Sequence, residues 1–241
     1  MTLKEFFSAH PKAALAFSGG TDSAYLLHAA REAGADVKPY FIQTRFQPKS
    51  ELDDAKKLAS ELTVIPLDIL QVQAVRNNPA DRCYHCKKTL FSALKVQAEA
   101  DGYPLLLDGT NASDQWEDRP GMRALKELGV LSPLRLCGLT KDKIRQLSKE
   151  AGLFTWDKPA YACLATRVQN GAEITVEDLQ RVEQSEEILR KMGYFDLRIR
   201  LFYGAARVQL PENQLKNADI FAIREALSPY FDHILLDLRG R

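Results

Sequence analysis

Residues 18–23 have the types and spacing of a phosphate-binding turn. They read Ser-Gly-Gly-Thr-Asp-Ser and stand between a short apolar run at 13–17 and a helical pattern that starts at Ala24. This order predicts a strand, a glycine turn and a helix start, so backbone N–H groups and the positive end of the helix converge on one point. Two adjacent glycines allow the backbone to approach an anion closely. The predicted phosphate-binding residues are Ser18, Gly19, Gly20, Thr21, Asp22 and Ser23.

The carboxylate of Asp22 has two interpretations. It could hold a magnesium ion beside the phosphates, or it could cap the helix in an ordinary strand–helix turn. The complete string favours phosphate binding, because it follows a predicted strand and precedes a predicted helix. No lysine follows the glycines at the Walker spacing, so a kinase-like or motor-like nucleotide hydrolase is disfavoured.

Three of the four cysteines stand in sequences that suit metal or sulfur chemistry. Cys83 and Cys86 form a C-x-x-C at the start of a predicted helix, which places both thiols on one face and favours their thiolate forms. They could be a redox pair or half of a zinc site. Together with Cys163, which precedes Arg167, they could instead ligate an iron–sulfur cluster that leaves one iron open. Cys137 has apolar neighbours, which predicts a core position.

Strand and helix patterns alternate over most of the chain, which predicts an α/β fold with a doubly wound, mostly parallel sheet. The strands and helices predicted for this part are 12–17, 23–33, 37–42, 51–62, 64–67, 83–100, 105–107 and 140–151. The remainder predicts a small α+β unit, whose helices and last strand are 175–192, 217–227 and 233–237. We therefore predict two domains, 1–158 and 159–241, joined near Pro159.

Composition and charge limit the classes of partner. The 33 basic and 32 acidic residues among 241 give a net charge of +1, which favours neither nucleic acid nor an anionic membrane as a partner. Residues 1–11 contain no long apolar segment, and no apolar run approaches the length of a membrane span. Four cysteines do not make a secreted disulfide scaffold, so a reducing cytoplasm is expected. We also expect a homo-oligomer.

Polar residues follow the predicted strand at 105–107. Asn111, Asp114 and Arg119 lie in the loop after this strand, at the edge of the sheet where ligands bind. We interpret Asn111 and Arg119 as nucleotide-binding residues. The alternative is an Asx turn and a surface arginine.

Charged residues also interrupt apolar patterns in the C-terminal part. Glu186 falls on the apolar stripe of the helix 175–192, so its carboxylate needs a partner, either a salt bridge between domains or a metal or substrate. Arg198 and Arg200 alternate with apolar residues and share one strand face, and Arg207 is predicted to lie across the hairpin. This face is either solvated or binds a ligand that carries phosphate and carboxylate groups.

The ordered motifs resemble those of the PP-loop ATP pyrophosphatases and, more specifically, those of the LarE family. LarE enzymes insert the sulfur of the nickel-pincer nucleotide of lactate racemase. The resemblance covers most of residues 12–170 and is weaker over 175–241. The matching strings are SGGTDS at 18–23, NPADRCYHCKKTLF at 78–91, DGTNASD…DRPG within 108–121, SPL at 132–134, LTKDKIRQL at 139–147 and DKPAYACLATR at 157–167.

The resemblance implies an ATP-dependent, AMP-forming sulfurtransferase that uses ATP and Mg²⁺. Such an enzyme adenylates a carboxylate of pyridinium-3,5-dicarboxylate mononucleotide, a small-molecule substrate, and then inserts sulfur to give a thiocarboxylate. Catalytic roles fall on Asp22, Cys163 and Arg167, and substrate-binding roles on Glu186, Arg198 and Arg200. Family members with three cysteines hold a 4Fe–4S cluster that carries sulfide from a sulfide donor, which assigns Cys83, Cys86 and Cys163 as ligands. In members with one cysteine, the residue at position 163 gives up its own sulfur.

Three other functions remain open at this point. A PP-loop tRNA thiolase would use the same adenylation chemistry, but the balanced charge offers no basic surface for RNA. An amide-forming ligase of the same superfamily would not need the three cysteines. A nucleotide-binding sensor is disfavoured by the intact glycine string and Asp22.

Overall fold

The structure is a computed structural model that describes residues 1–114, 120–159 and 161–241. Its helices are α1 Leu3–Ala9, α2 Thr21–Glu32, α3 Lys49–Leu58, α4 Gln73–Arg76, α5 Arg82–Ala100, α6 Pro120–Glu127, α7 Pro133–Leu136, α8 Lys141–Glu150, α9 Val176–Lys191, α10 Glu212–Leu215 and α11 Ile220–Leu227. Its strands are β1 Lys12–Ala16, β2 Asp36–Gln43, β3 Thr63–Pro66, β4 Leu106–Leu107, β5 Arg198–Phe202, β6 Ala205–Gln209 and β7 Ile234–Leu236. Short 3₁₀ helices occur at Ile69–Gln71 and Leu164–Arg167.

The chain forms two compact units. The first unit comprises Met1–Thr44, Lys49–Ile69 and Asp81–Ala160. The second unit comprises Arg45–Pro48, Leu70–Ala80 and Tyr161–Arg241. Two short segments of the N-terminal half therefore fold with the C-terminal part of the chain.

The first unit is built on a four-stranded parallel sheet in the order β3-β2-β1-β4. The chain builds outward from β1 in one direction with β2 and β3, and β4 lies on the other side of β1. In doubly wound sheets the ligand crevice lies outside the carboxyl ends of the strands, where the order reverses. Here that point is between the ends of β1 and β4. The predicted doubly wound α/β fold is confirmed.

Side chains that alternate along the strands pack into two apolar cores, one on each face of this sheet. Leu15 and Phe41 pack with residues of α1 and α2. Ala14 and Tyr40, their neighbours along the strands, pack with residues of α5 and α6 instead. Both faces of the sheet are therefore covered by helices, as a parallel sheet requires.

The second unit places α9 and α11 on a three-stranded sheet in the order β5-β6-β7. Strands β5 and β6 are antiparallel, and β7 runs parallel to β6. The turn between β5 and β6 consists of Tyr203 and Gly204, whose φ angles are +48° and +81°. Positive φ at both positions is typical of a tight type I′ hairpin turn. The register pairs Arg200 with Arg207, so the predicted position of Arg207 across the hairpin is confirmed.

Local capping explains two differences from the sequence prediction. The helix predicted at 217–227 begins at Ile220, because the carboxylate of Asp219 accepts hydrogen bonds from the N–H groups of Phe221 and Ala222. Helix α1 was not predicted, although Thr2 and Glu5 form a reciprocal capping box at its start. Among the described residues, no helix is both long and apolar enough to span a membrane.

Helix α3 gives the first unit a specific pH dependence. Burial raises the pKa of the half-buried Glu51 to about 7 from 4.5, with Asp54 adding to the shift and Lys158 opposing it. The folded state thus binds this proton more tightly than the unfolded chain does. As the pH rises from 4.5 to about 7, the carboxyl group of Glu51 therefore lowers the free energy of unfolding.

We expect Glu51→Gln to remove this loss. The variant should match the wild type near pH 4 and exceed its free energy of unfolding by about 1–2 kcal/mol at pH 8, because one pKa unit is worth about 1.4 kcal/mol and water screens part of it. Urea titrations across this pH range measure the difference. Glu99→Gln, an exposed change on α5, is the control, and equal curves for the two variants would contradict the assignment.

Candidate functional site

The glycine turn at the end of β1 has a conformation that only glycine tolerates at one of its two positions. Gly19 has a φ of +69°, and a Cβ there would lie 2.9 Å from the backbone nitrogen of Ala55 on α3. Gly20 has an ordinary extended conformation, and a Cβ there would meet only the hydroxyl of Ser18, at 3.3 Å. Gly19 is therefore required by the fold, whereas Gly20 keeps the turn open toward a ligand.

Helix α2 starts at this turn with backbone donors that make no helical hydrogen bond. Its N-cap is Gly20, which has no side chain to bond the first N–H groups. The first hydrogen bond of the helix joins Ala24 N to Gly20 O, so the N–H groups of Thr21, Asp22 and Ser23 lie outside the helical ladder. Such a helix end, together with its dipole, can bind an anion.

The hydroxyls of the turn are engaged within the protein. Ser18 Oγ and Ser23 Oγ are 3.2 Å apart, and Ser23 Oγ also donates to Gly20 O. Thr21 Oγ1 donates to the carbonyl of Thr155 at 2.7 Å. These bonds shape the turn, so its backbone N–H groups are the main donors that it can offer to a phosphate.

Only one of the two carboxylate oxygens of Asp22 accepts a hydrogen bond from the described residues. Its Oδ2 accepts a 2.7 Å hydrogen bond from Lys141 Nζ, in a partly buried ion pair. Its Oδ1 is buried and has no hydrogen-bond partner among the described residues. A buried carboxylate oxygen without a donor is unfavourable unless a cation or donor is supplied. Carboxylate oxygens are ligands that Mg²⁺ prefers, so this atom fits the predicted metal.

The loop after β4 closes the other side of the crevice. Asp108 is fixed by Ser132 Oγ at 2.6 Å and Thr110 Oγ1 at 2.5 Å. Gly109 approaches the start of α2, since a Cβ on it would lie 3.1 Å from Ser23 N. Asn111 is buried, and its Oδ1 accepts from the N–H two residues on, which is an Asx turn. Its nucleotide-binding role stays a prediction, and that of Arg119 lies outside the described residues.

The C-x-x-C occupies the first turn of α5 in the first unit. Cys83 is exposed and Cys86 partly exposed, and a guanidinium N–H of Arg82 points to Cys83 Sγ at 3.8 Å. Helix α6 packs against this turn at Gly121, where a Cβ would lie 3.5 Å from the carbonyl of Cys83. Cys137 packs at the edge of the first core, and burial raises the pKa of its thiol.

The third cysteine of the predicted set lies in the second unit. Cys163 is the N-cap of the 3₁₀ helix Leu164–Arg167. The buried guanidinium of Arg167 donates to the carbonyls of Ala162 and Cys163 and to Thr166 Oγ1, which anchors the cysteine segment. Within the part of the chain that the structure describes, no group of three or more Cys, His, Asp or Glu side chains is arranged to hold a metal ion.

Arg167 is itself held by a buried ion pair with Glu186. Oε1 of its fully buried carboxylate accepts from Arg167 Nε at 2.8 Å and from Ile199 N at 3.0 Å. Oε2 accepts from Arg167, from Tyr161 OH at 2.5 Å and from Arg190. Burial opposes ionisation, but the hydrogen bonds from Arg167 and Tyr161 hold the pKa of Glu186 below its ordinary value. The predicted substrate role of Glu186 stays a prediction, since here protein donors occupy both oxygens.

A group of arginines lies beside this ion pair. Burial and the charge of Arg167 lower the pKa of Arg198 to about 10. Arg200 donates to Gln209 Oε1 at 2.8 Å and to the carbonyl of Thr166 at 2.6 Å, which connects β5 to the cysteine segment. Burial and the same neighbouring charge also lower the pKa of Arg200. This excess of clustered positive charge favours an anionic ligand.

Known proteins resemble the chain over nearly its whole length, although no family model matches it. The pyridinium-3,5-bisthiocarboxylic acid mononucleotide synthase of Lactiplantibacillus plantarum is 32% identical over 94% of this chain and 85% of its own length. The chain belongs to the LarE family. An uncharacterised protein of Synechocystis sp. is 35% identical to this LarE-family chain over 99% of the chain and 92% of its own length. An uncharacterised protein of Methanocaldococcus jannaschii is 32% identical over 89% of the chain and 83% of its own length. The predicted resemblance is thereby confirmed.

Several residues of the site in this LarE-family chain were not predicted. Asp108 directly follows the strand predicted at 105–107, and that position at the ligand edge of the sheet was a usable signal. Lys141 is the first residue of α8, where the helix dipole disfavours a cation, and this conflict was a second signal. Tyr161 bonds to Glu186, which lies 25 residues further along the chain, and no local pattern indicates this contact. Gln209 bonds to Arg200 across the β5–β6 hairpin, and the alternating pattern of these strands was a third signal.

We expect Glu186→Gln to destabilise the protein by about 3–5 kcal/mol, because it leaves the buried charge of Arg167 without its partner. Denaturant unfolding followed by circular dichroism measures the loss. Glu187→Gln, its exposed neighbour on α9, should change stability by less than about 0.5 kcal/mol. Equal stability of the two variants would show that the ion pair is not a structural anchor.

Proposed function

We propose that this LarE-family protein is an ATP-dependent sulfurtransferase. It adenylates a carboxylate of pyridinium-3,5-dicarboxylate mononucleotide and replaces the activated oxygen with sulfur, giving a thiocarboxylate, AMP and pyrophosphate. The relative from Lactiplantibacillus plantarum is named for a bisthiocarboxylic acid mononucleotide. The observation that carries the ATP-dependent step is the glycine turn. Its N–H groups lie outside the helix ladder, beside the buried Oδ1 of Asp22, which has no hydrogen-bond partner among the described residues.

The turn supplies what adenylation requires. A carboxylate oxygen is a poor leaving group, and transfer of AMP makes it a good one. The N–H groups of Thr21, Asp22 and Ser23 bind the departing pyrophosphate through the positive end of α2. Asp22 Oδ1 would hold the magnesium ion that accompanies ATP. Gly20 leaves room for the phosphates to approach the backbone.

The acceptor is bound by the arginines of the second unit. A pyridinium dicarboxylate mononucleotide carries two carboxylates and one phosphate, and guanidinium groups bind both kinds of anion in bidentate geometry. Arg198 and Arg200 lie beside Arg167, and burial and repulsion by the charge of Arg167 lower their pKa values. An anionic ligand relieves that repulsion. The near-zero net charge of the chain favours such a small ligand over tRNA.

The sulfur passes through the cysteines. We propose that Cys83, Cys86 and Cys163 together ligate a 4Fe–4S cluster, and this donor set of three thiols fits a cluster with one open iron. Bound there, the cluster would supply the sulfide for transfer. The position of the first two on one helical turn and the anchoring of the third by Arg167 support this role. The second candidate is transfer of the sulfur atom of Cys163 itself.

The adenylation step is tested at the glycine turn. We expect Gly20→Val and Asp22→Ala to lower pyrophosphate release from ATP in the presence of acceptor by at least about 100-fold, since each removes preorganised stabilisation of the phosphates. Both variants should keep the melting temperature within a few degrees. Asp142→Ala, an exposed acid in the first turn of α8, should release pyrophosphate normally. A folded Gly20→Val protein that releases pyrophosphate at the wild-type rate would contradict the proposed ATP site.

The sulfur source is tested by cysteine replacement after anaerobic purification. We expect Cys83→Ala, Cys86→Ala and Cys163→Ala each to lose the brown absorbance and sulfur transfer, because a cluster with a missing ligand is not held. Cys137→Ala should retain both. A Cys163 residue that has lost one H₂S in an active, iron-free protein, seen by mass spectrometry, would establish self-sacrifice instead. Comparing the mononucleotide with tRNA as acceptor separates the two classes of thiolase.

A further inference from the structure

The partner of Asp22 is a lysine in an unusual place. Lys141 is the first residue of α8, where the positive end of the helix dipole opposes a cation. Its ammonium nevertheless points to Asp22 Oδ2 at 2.7 Å. Lys143, two residues on, instead bonds Gln146 on the exposed side of the same helix. The direction of Lys141 is therefore specific to the glycine turn.

The backbone at Lys141 is fixed, whereas its side chain is flexible. Lys141 N donates to Ser113 Oγ at 3.0 Å, and Ala112 N donates to Leu139 O at 2.8 Å, so the start of α8 is tied to the loop after β4. Thr140 caps the helix through the N–H of Lys143. A lysine side chain has four methylene groups and can move its charge by several ångströms without a change in the backbone.

The carboxylate of Asp22 can bind a divalent cation in place of the ammonium group. One oxygen binds Lys141, and the other is buried without a donor among the described residues. A divalent ion can satisfy both oxygens, and it repels the ammonium that it replaces. The positive ends of α2 and α8 then make an anion the favourable partner for the displaced lysine.

We infer that Lys141 exchanges partners during the binding of metal and nucleotide. In the free protein its ammonium neutralises Asp22. When the metal ion occupies Asp22, Lys141 turns to an oxygen of the ATP phosphate chain. This inference rests on the proposed ATP site, and it assigns a phosphate-binding role to a residue outside the glycine string.

The exchange predicts changes of opposite sign in two binding constants. The ammonium of Lys141 competes with a metal ion for the carboxylate of Asp22. Lys141→Met removes this competitor, so the variant should bind Mn²⁺ without nucleotide at least about 5-fold more tightly. The same variant loses a charge-assisted bond to phosphate in the metal-bound state, so ATP should bind at least about 10-fold more weakly at saturating Mg²⁺. Electron paramagnetic resonance of Mn²⁺ without nucleotide and calorimetry of ATP at saturating Mg²⁺ measure the two constants on the full chain.

Lys143→Met is the matched control and should leave both constants within about 2-fold of the wild type. Lys141→Gln should repeat both changes, which guards against a folding defect of one variant. A fixed salt bridge that only supports the turn predicts weaker binding of both ligands, and this outcome or unchanged constants would overturn the inference alone. A wild-type protein that binds no ATP would overturn the proposed function and the inference with it.

Discussion

The central position of β1 is the constraint on which the first unit depends. Its backbone is hydrogen-bonded to β2 on one side and to β4 on the other. The connections therefore leave β1 and β4 in opposite directions, and a crevice opens between their carboxyl ends. The chain must turn sharply there to begin α2, and α3 crosses so closely that Gly19 cannot carry a side chain. The phosphate-binding geometry is a consequence of how this sheet is wound.

The second unit depends on a different interaction, the buried pair of Arg167 and Glu186. A buried ion pair is stable only when further hydrogen bonds satisfy the remaining atoms of both groups. Here Tyr161, Arg190 and Ile199 N complete the carboxylate, and the carbonyl of Cys163 is among the acceptors for the guanidinium. The pair thus connects α9, β5 and the cysteine segment. A shift in any one of them changes the position of Cys163.

The two units share one electrostatic feature, which is that each holds charged side chains in surroundings that are electrostatically unfavourable for them. In the first unit one oxygen of Asp22 has no donor among the described residues. In the second unit, burial and the charge of Arg167 lower the pKa values of Arg198 and Arg200. Such an electrostatic cost in the free protein is reduced when a cation or an anion binds. It is therefore typical of sites built for charged ligands.

The sequence alone determined the α/β class, the glycine turn, the C-x-x-C at a helix start and the arginine positions across the β5–β6 hairpin. Each of these follows from residues close together in the chain, because turns, caps and period-two or period-3.6 patterns are local. Only the tertiary structure decided that Lys141 faces Asp22, that Tyr161 completes Glu186, and that residues 45–48 and 70–80 fold with the second unit. These pairings join residues far apart in sequence, and packing of the whole chain, which no local pattern encodes, brings them within hydrogen-bond distance.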